Sequence, residues 1–435
     1  KDERAAKPLS EYAKSSKGDI SEMLEVAVAL GRIYAGRDHA PTIEWLKGLR
    51  EAANYSAPEI EVSFARVAPQ AYRLATLLSL TPQATAPQMS ALAQGVTELV
   101  SAKTGNAFTD KDIKDFSIKW LNDGLSCPQS VRLARPARVK PRRDVVYGFV
   151  CTPPPVKAIP DFLRAYTAFK PDDLREILLK HLVEQDVVVR ATAADLLGDL
   201  PASEENTKAL IDALPVALKD SLNDAAMSIL GALAKQKSEK ANDAIKSALE
   251  ARDYLVRWRA IELLKRNGAG DFSAQKFPVK SQWTEADYRQ ALALKNIKAI
   301  VETDKGAFTI QLLPQEAPLN VLSFARLAQR GYFNGIVWHR VVPNFVIQGG
   351  DPRGDGNGGP GYALRCEINQ VPYERGAVGM ALSGKDTGGS QWFVTHSPQP
   401  HLDGGYTVFG NVIQGLETVD KIARGDKIRR VRIIR

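Results

Sequence analysis

The chain changes its periodicity once, near residue 296, and that change limits what it can fold into. Before it, apolar residues recur at helical spacing; Met23, Ala27, Leu30 and Tyr34 form one such stripe. After it, Lys298 to Thr303 and Ala307 to Leu313 are short, β-branched-rich runs separated by Asp304-Lys305-Gly306, a hairpin turn. Glycine becomes frequent from there on. An all-α region is therefore expected ahead of a largely β domain. At roughly 150 residues per domain, 435 residues suggest two or three domains. The expected division is a helical region over 1–160 that ends in a Pro- and Arg-rich connection, helical repeats over 161–270, a linker with one short helix over 271–295, and the β domain over 296–435.

Local signals support the helices. Pro41 and Pro58 stand where a first helical turn tolerates proline. Thr109-Asp110-Lys111-Asp112 reads as a capping box ahead of Ile113, Phe116 and Trp120. Residues 124–160 break the pattern with Pro128, Pro136, Pro141, Pro153, Pro154, Pro155 and Pro160. Thr284-Glu285-Ala286-Asp287 reads as the cap of the linker helix.

A repeat appears from residue 161. Asp186-Val187-Val188-Val189-Arg190, Asp220-Ser221-Leu222-Asn223-Asp224 and Asp253-Tyr254-Leu255-Val256-Arg257 each precede an apolar helical run, and the three Asp residues are 34 and 33 positions apart. A helix pair cannot bury its apolar face alone, so such units are expected to stack into a solenoid. The pattern resembles HEAT repeats, although the units are shorter than usual and Asp224 replaces the Arg in the middle one. The 20–123 segment carries no clean repeat signature.

Composition narrows the function. The formal net charge of +8 permits acidic partners without demanding them. No run of about 18 apolar residues occurs, so no transmembrane segment is expected. Cys127, Cys151 and Cys366 form no CxxC pair, and neither a metal nor a cofactor is expected. Cys127 and Cys151 are read as free thiols, with a disulfide left open for an oxidising compartment. The chain opens Lys1-Asp2-Glu3-Arg4 without Met. With the cysteine pair, this leans the compartment toward export, into the periplasm of a bacterium. The basic run Arg132, Arg135, Arg138, Lys140, Arg142, Arg143 has no interleaved aromatics, so it reads as a solvated loop and no nucleic acid is expected.

The chemistry lies in three blocks. Residues 337–351 read VWHRVVPNFVIQGGD, 379–395 read GMALSGKDTGGSQWFVT, and 401–411 read HLDGGYTVFGN. Together, in this order and spacing, they resemble the signature of the cyclophilin-type peptidyl-prolyl isomerases, and the resemblance covers roughly 296–435. It implies a closed eight-stranded antiparallel barrel with two capping helices, one after Pro318 and one near Gly415 to Ala423. It places the catalytic arginine on Arg340 and the proline pocket on Phe345, Val346, Phe393 and Leu402. The glutamines that bind peptide backbone fall on Gln348 and Gln391, and the groove edge on Leu382, Ser383, His401 and Tyr406. Val346 stands where the family usually has Met, His401 where it often has Trp, Tyr406 where it often has His, and Leu382-Ser383 where Asn-Ala is common. Activity is expected to survive these changes, with weak cyclosporin binding.

That inventory suits the reaction. Amide resonance sets a rotation barrier of about 20 kcal/mol. No bond breaks, so a catalyst has only to bind the twisted amide better than either planar form. An always-charged guanidinium can favour the pyramidal prolyl nitrogen while an apolar pocket anchors the ring. Competing motifs fail on context. Gly354 to Gly359 matches GxGxxG, but Pro360-Gly361 follows where a helix should start. The same loop lacks the twelfth-position Glu of an EF-hand. His339 reads as structural, and His396, Ser390 and Asp403 give no triad. Two functions are carried forward: an isomerase acting on proline-containing peptide or protein clients, with the helical region recruiting clients or a protein partner, and a catalytically weak proline-peptide scaffold. Pro153-Pro154-Pro155 also raises the idea that this stretch competes for the groove.

Overall fold

The computed structural model describes residues 3–15, 20–69, 71–72, 84–101, 111–127, 153–275 and 283–434. The basic run, Cys151, most of the Pro- and Arg-rich connection and the expected cap at Thr109-Asp110 lie outside them; Cys127, read above as a free thiol, is disulfide-bonded. Among the described residues are fourteen α-helices, then eight strands with two further α-helices among them. They form two compact units, Lys1–Ala213 with Gly231–Lys237, and Leu214–Leu230 with Ser238–Arg435.

The first unit is helical. Helix α1 is Ala6–Ser15, α2 Ile20–Ile33, α3 Ala40–Ala52, α4 Pro58–Val67, α5 Ala86–Ser101, α6 Lys111–Ser126, α7 Ile159–Phe169, α8 Leu174–His181 and α9 Val187–Gly198. The α2 stripe faces inward as expected, with Met23, Ala27 and Leu30 buried. Pro41 and Pro58 sit in the first turns of α3 and α4. Between those two helices lies a buried ion pair, Arg50 Nε to Glu61 Oε1 at 2.6 Å, with side-chain exposures of 5% and 0%. Gly198 in α9 lets a neighbouring helix approach closely, since a Cβ there would stand 2.8 Å from Ala232. Pro153 and Pro154 are buried, Pro154 beside Gly124, so they are not displayed as a free peptide.

Helices α10 (Glu204–Ala217) and α11 (Asp224–Gln236) cross the division between the units; α12 (Glu239–Ser247) and α13 (Tyr254–Arg266) belong to the second. The repeat has a physical basis at two of its three sites. Asp186 accepts the N–H groups of Val188 and Val189, and Asp253 accepts that of Leu255, so each caps its helix. Arg190 then donates to the carbonyls of Glu184 and Gln185 at 2.6 and 2.8 Å. Arg257 donates to the equivalent carbonyls of Ala251 and Arg252 at 2.6 and 2.9 Å. The middle unit departs from this: α11 starts at Asp224, not beside Asp220. Its Asp224 occupies the arginine's place and has no donor to reach back to the turn.

In the second unit, α14 (Glu285–Leu292) opens with the expected capping box, Thr284 with Asp287. This linker helix is docked: Ala291 is buried in the main core, and Arg326 reaches Asp287 and Gln290 at 2.7 and 2.6 Å. The strands are β1 Lys298–Thr303, β2 Gly306–Leu312, β3 Arg340–Val342, β4 Val346–Gly349, β5 Ala377–Met380, β6 Trp392–Thr395, β7 Val408–Gln414 and β8 Ile428–Ile434. They make one sheet, every pair antiparallel, in the order β3-β4-β6-β5-β7-β2-β1-β8.

The sheet curls, but no ladder joins its edge strands β3 and β8. The chain leading into them, with the first residue of β8, exchanges bonds instead: Trp338 N–H to Asp426 O at 2.9 Å and Ile428 N–H to Ile336 O at 2.8 Å. Gly335 and Gly425, both at positive φ, keep these segments irregular where a closing ladder would begin. The sheet is therefore a curled half-barrel where a closed barrel was expected. In β8, Ile428 and Val431 are buried three residues apart, not two, because the register shifts opposite Glu302 and Thr303.

Helix α15 (Pro318–Gln329) is the expected first capping helix, and its Phe324 packs edge-on to Trp392 and against Phe333 and Phe409. The second, α16 (Leu416–Val419), is shorter than its expected range. Trp338 and Trp392 cross at 5.0 Å in the same fully buried cluster. Side chains fill this concave face, so ligands are left the outer face.

Candidate active site

The outer face carries its own, separate apolar cluster: Val346, Tyr373, Ala377, Phe393, Leu402 and Val408, with Phe345 and Tyr406 packed against it. Strand alternation explains the separation. Along β4, Ile347 points into the main core while Val346 and Gln348 share the opposite face. Pairing then aligns a row across the sheet. Arg340 on β3 lies opposite Gln348 on β4, Gln348 opposite Phe393 on β6, and Phe393 opposite Gly379 on β5. Directly paired residues share a face, so charge, amide and aromatic ring line up side by side.

A short hydrogen-bonded chain orders the polar half. Arg340 donates to Gln348 Oε1 at 3.4 Å, and Gln348 Nε2 donates to Gln391 Oε1 at 3.1 Å. Gln391 Nε2 donates to the carbonyls of Gly356 and Gly358 at 2.8 and 2.9 Å. The Arg340 guanidinium is exposed and stands 5.4 Å over the Phe345 ring. The hairpin between β3 and β4 holds both. Phe345 N–H closes a turn on Val342 O, with Pro343 second and Asn344 third at φ 57°, the residue choice a type II turn uses.

The apolar half is a pocket. Val346, Phe393 and Leu402 are buried, at 2%, 5% and 7% exposure. The Phe393 ring stacks on Tyr373 at 5.5 Å and meets Tyr406 edge-on at 6.1 Å. His401 is exposed and stacks on Phe345 at 5.6 Å, forming a side wall. Gly379 is required beneath it: a Cβ would come within 2.4 Å of both Phe393 and the Tyr373 hydroxyl.

Nine of the eleven expected residues thus stand together on this face, and Ser383 is exposed in the loop after β5. Leu382 differs: it packs against the main core, and Ala381 takes the place beside the outer cluster. Burial pushes the His339 imidazole down, with the Asp351 charge opposing. His339 thus stays neutral near pH 7, in keeping with a structural role.

Three residues escaped sequence reasoning. Tyr373 and Gly379 build the pocket floor. Asp351, 1% exposed, accepts the N–H groups of Arg353, Asp355 and Gly356 at 2.7, 2.9 and 2.6 Å. It folds the glycine-rich loop so that its carbonyls meet Gln391. Only the density of glycine around an isolated Asp hinted at this. Among the described residues no His, Cys, Asp and Glu cluster could hold a metal, and no helix is long and apolar enough to cross a membrane.

The arrangement offers a fixed cation beside an apolar socket and a rail of amides, with no nucleophile and base in register. It is suited to holding a peptide while one bond rotates. Comparisons with known proteins agree. The family model for the cyclophilin type peptidyl-prolyl cis-trans isomerase/CLD matches residues 298–435. A peptidyl-prolyl cis-trans isomerase of Synechococcus elongatus is 46% identical over 139 residues, covering 32% of this chain and 96% of the relative. Peptidyl-prolyl cis-trans isomerase B of Bacillus subtilis is 48% identical over 132 residues, covering 30% and 92%. A solved Cryptosporidium parvum cyclophilin matches with 30% identity and a TM-score of 0.31, covering 32% of this chain and 97% of that one. The relatives are matched over nearly their whole length and the helical region stands outside the match. Through residues 298–435 this chain belongs to the cyclophilin-type peptidyl-prolyl cis–trans isomerases.

Proposed function

We propose that the isomerase domain spans 296–435 and works through the outer groove, with Arg340 as the catalytic residue. The row Arg340–Gln348–Phe393 carries this reading. A proline ring fits the socket of Val346, Phe393, Leu402 and Phe345. Its nitrogen then faces the guanidinium, which binds the twisted amide better than the planar one. Gln348 and Gln391 hold the flanking backbone, while His401, Tyr406 and Ser383 rim the groove. Leu382 acts from behind, through the core.

The test is isomerisation of an X–Pro peptide panel by the full chain and by Arg340→Ala. Loss of one preorganised donor should lower kcat/KM by about 10²–10³-fold. A variant that keeps wild-type rates would sink the assignment. Arg340→Lys should recover little, because a point charge lacks the planar fork.

The helical region, read as a stacked HEAT-like solenoid that precedes the curled sheet in the chain, serves to recruit clients. A cleft of about 840 Å³ in the second unit supports this, lined by four cations, Lys219, Arg252, Arg257 and Arg365, against two carboxylates, Asp220 and Asp253, with the rings of Trp283 and Tyr288 beside them. Its cations and rings suit an acidic client segment. Cyclosporin binds weakly in this reading, because His401 offers a smaller wall than an indole; His401→Trp should tighten it, and unchanged affinity in a titration would remove that explanation.

A further inference from the structure

The loop that joins β5 to β6 is held in part from outside the isomerase domain. It runs from Ala381 to Gln391 and so connects one strand of the groove to the glutamine of the amide rail. Ala381 N–H donates to Gln391 O at 3.0 Å, which closes the base of the loop. At its tip Asp386 adopts φ 64°, a left-handed conformation uncommon for a residue with a side chain. Three bonds keep it there. Asp386 Oδ1 accepts the Cys366 N–H at 2.8 Å, and its own N–H donates to Cys366 Sγ at 3.2 Å. Asp386 Oδ2 accepts the Tyr254 hydroxyl at 2.6 Å.

Tyr254 is the first residue of α13, in the helical region, and stands outside the family match. Both residues lie in the second unit. The Asp253 cap fixes the helix start, and the Arg365 guanidinium lies 4.6 Å over the Tyr254 ring. The phenol is thus clamped on its face and bonded at its tip. Burial and the Asp386 carboxylate push its pKa up, so it remains a donor at physiological pH.

We propose that Tyr254 is a positioning residue for the isomerase: through Asp386 it sets the loop wall of the groove, and with it the preference for residues flanking the substrate proline. The proline socket lies on the Phe393 side of the row, while the loop tip at Asp386 lies between Ala381 and Gln391, away from that ring in sequence. A bound peptide therefore meets the loop with its flanking residues and not with the ring. Selectivity, more than the rotation step, should respond. This deepens the groove assignment and rests on it.

The test uses the full chain with Tyr254→Phe, Asp386→Asn and the double variant. Relative kcat/KM is measured over X–Pro peptides that differ only beside the proline. Tyr254→Phe should change at least one flanking preference by about threefold or more, a small part of what one hydrogen bond to a charged group is worth. It should leave kcat on the shortest peptide within about twofold. The double variant should add little to either single one, since both break the same contact. Alkylation of Cys366, read by mass spectrometry, should accelerate in Tyr254→Phe as Asp386 releases the sulfur. This second readout needs no catalysis, so it separates the loop claim from the groove assignment, which Arg340→Ala tests. An unchanged preference pattern overturns the proposal, even with faster alkylation. Additive single effects overturn it too.

Discussion

At the scale of single residues, the groove depends on where side chains are absent as much as on where they are present. Gly379 lies under Phe393 and Tyr373, and a methyl group there has no room. Gly379→Ala should destabilise the domain by about 1–3 kcal/mol and raise KM as the Phe393 ring is displaced, read by thermal melting and peptide kinetics. A variant with wild-type KM would show that the ring is not the socket. His181 is a buried residue of another kind. Its Nδ1 faces Ile177 O at 2.8 Å, and burial lowers its pKa. The unfolded chain then binds the extra proton first. The stability contributed by neutral His181 is complete above the unfolded value near 6.5. It is lost as pH falls from there toward the folded value. Denaturant unfolding at pH 7.5 and 5.5 should show a smaller acid loss in His181→Phe than in the wild type; equal losses would exonerate the residue.

At the scale of elements, the helical region is held by local devices the sequence displays and by pairings it does not. The Asp186 cap is visible as a pattern, and Asp186→Ala should cost about 1 kcal/mol. The contact of α3 with α4 through Arg50 and Glu61 joins residues 11 positions apart inside an apolar setting. Arg50 also stands 4.9 Å over the Tyr55 ring. Arg50→Met should lose about 3–5 kcal/mol because Glu61 is left buried. Replacing both with apolar residues of similar size should recover most of that loss, as a denaturant melt of the three chains would show. In the sheet the same distinction appears. The β1–β2 hairpin follows from Asp304-Lys305-Gly306 and was expected within a residue at each end. The bulge opposite Glu302 and Thr303, which spaces Ile428 and Val431 by three, follows only from how β8 must curl around β1.

At the scale of the whole molecule, an ordinary cyclophilin-type domain is matched over nearly its full length, and the additional helical chain is what distinguishes this protein. In the proposed reading, a cleft with more cations than carboxylates and a tyrosine from α13 link that chain to the groove. Raising ionic strength from about 0.05 to 0.2 M shortens the screening length. An acidic, proline-containing client protein should then lose more catalytic efficiency than a short neutral peptide. Equal salt sensitivity of the two would argue against recruitment by charge.

The order of helices and strands and the three site blocks were legible in residue order. Periodicity, turn residues and block spacing act over a few positions. Arg340, Gln348 and Phe393 were named from those blocks through their resemblance to the family, and strand pairing is what sets them side by side. Tertiary structure alone decided that Leu382 turns to the core, that Asp351 folds the glycine-rich loop and that α11 starts late. It also decided that Tyr254 meets Asp386 across 132 positions. Such contacts depend on which surfaces become neighbours after burial, and no spacing along the chain records that.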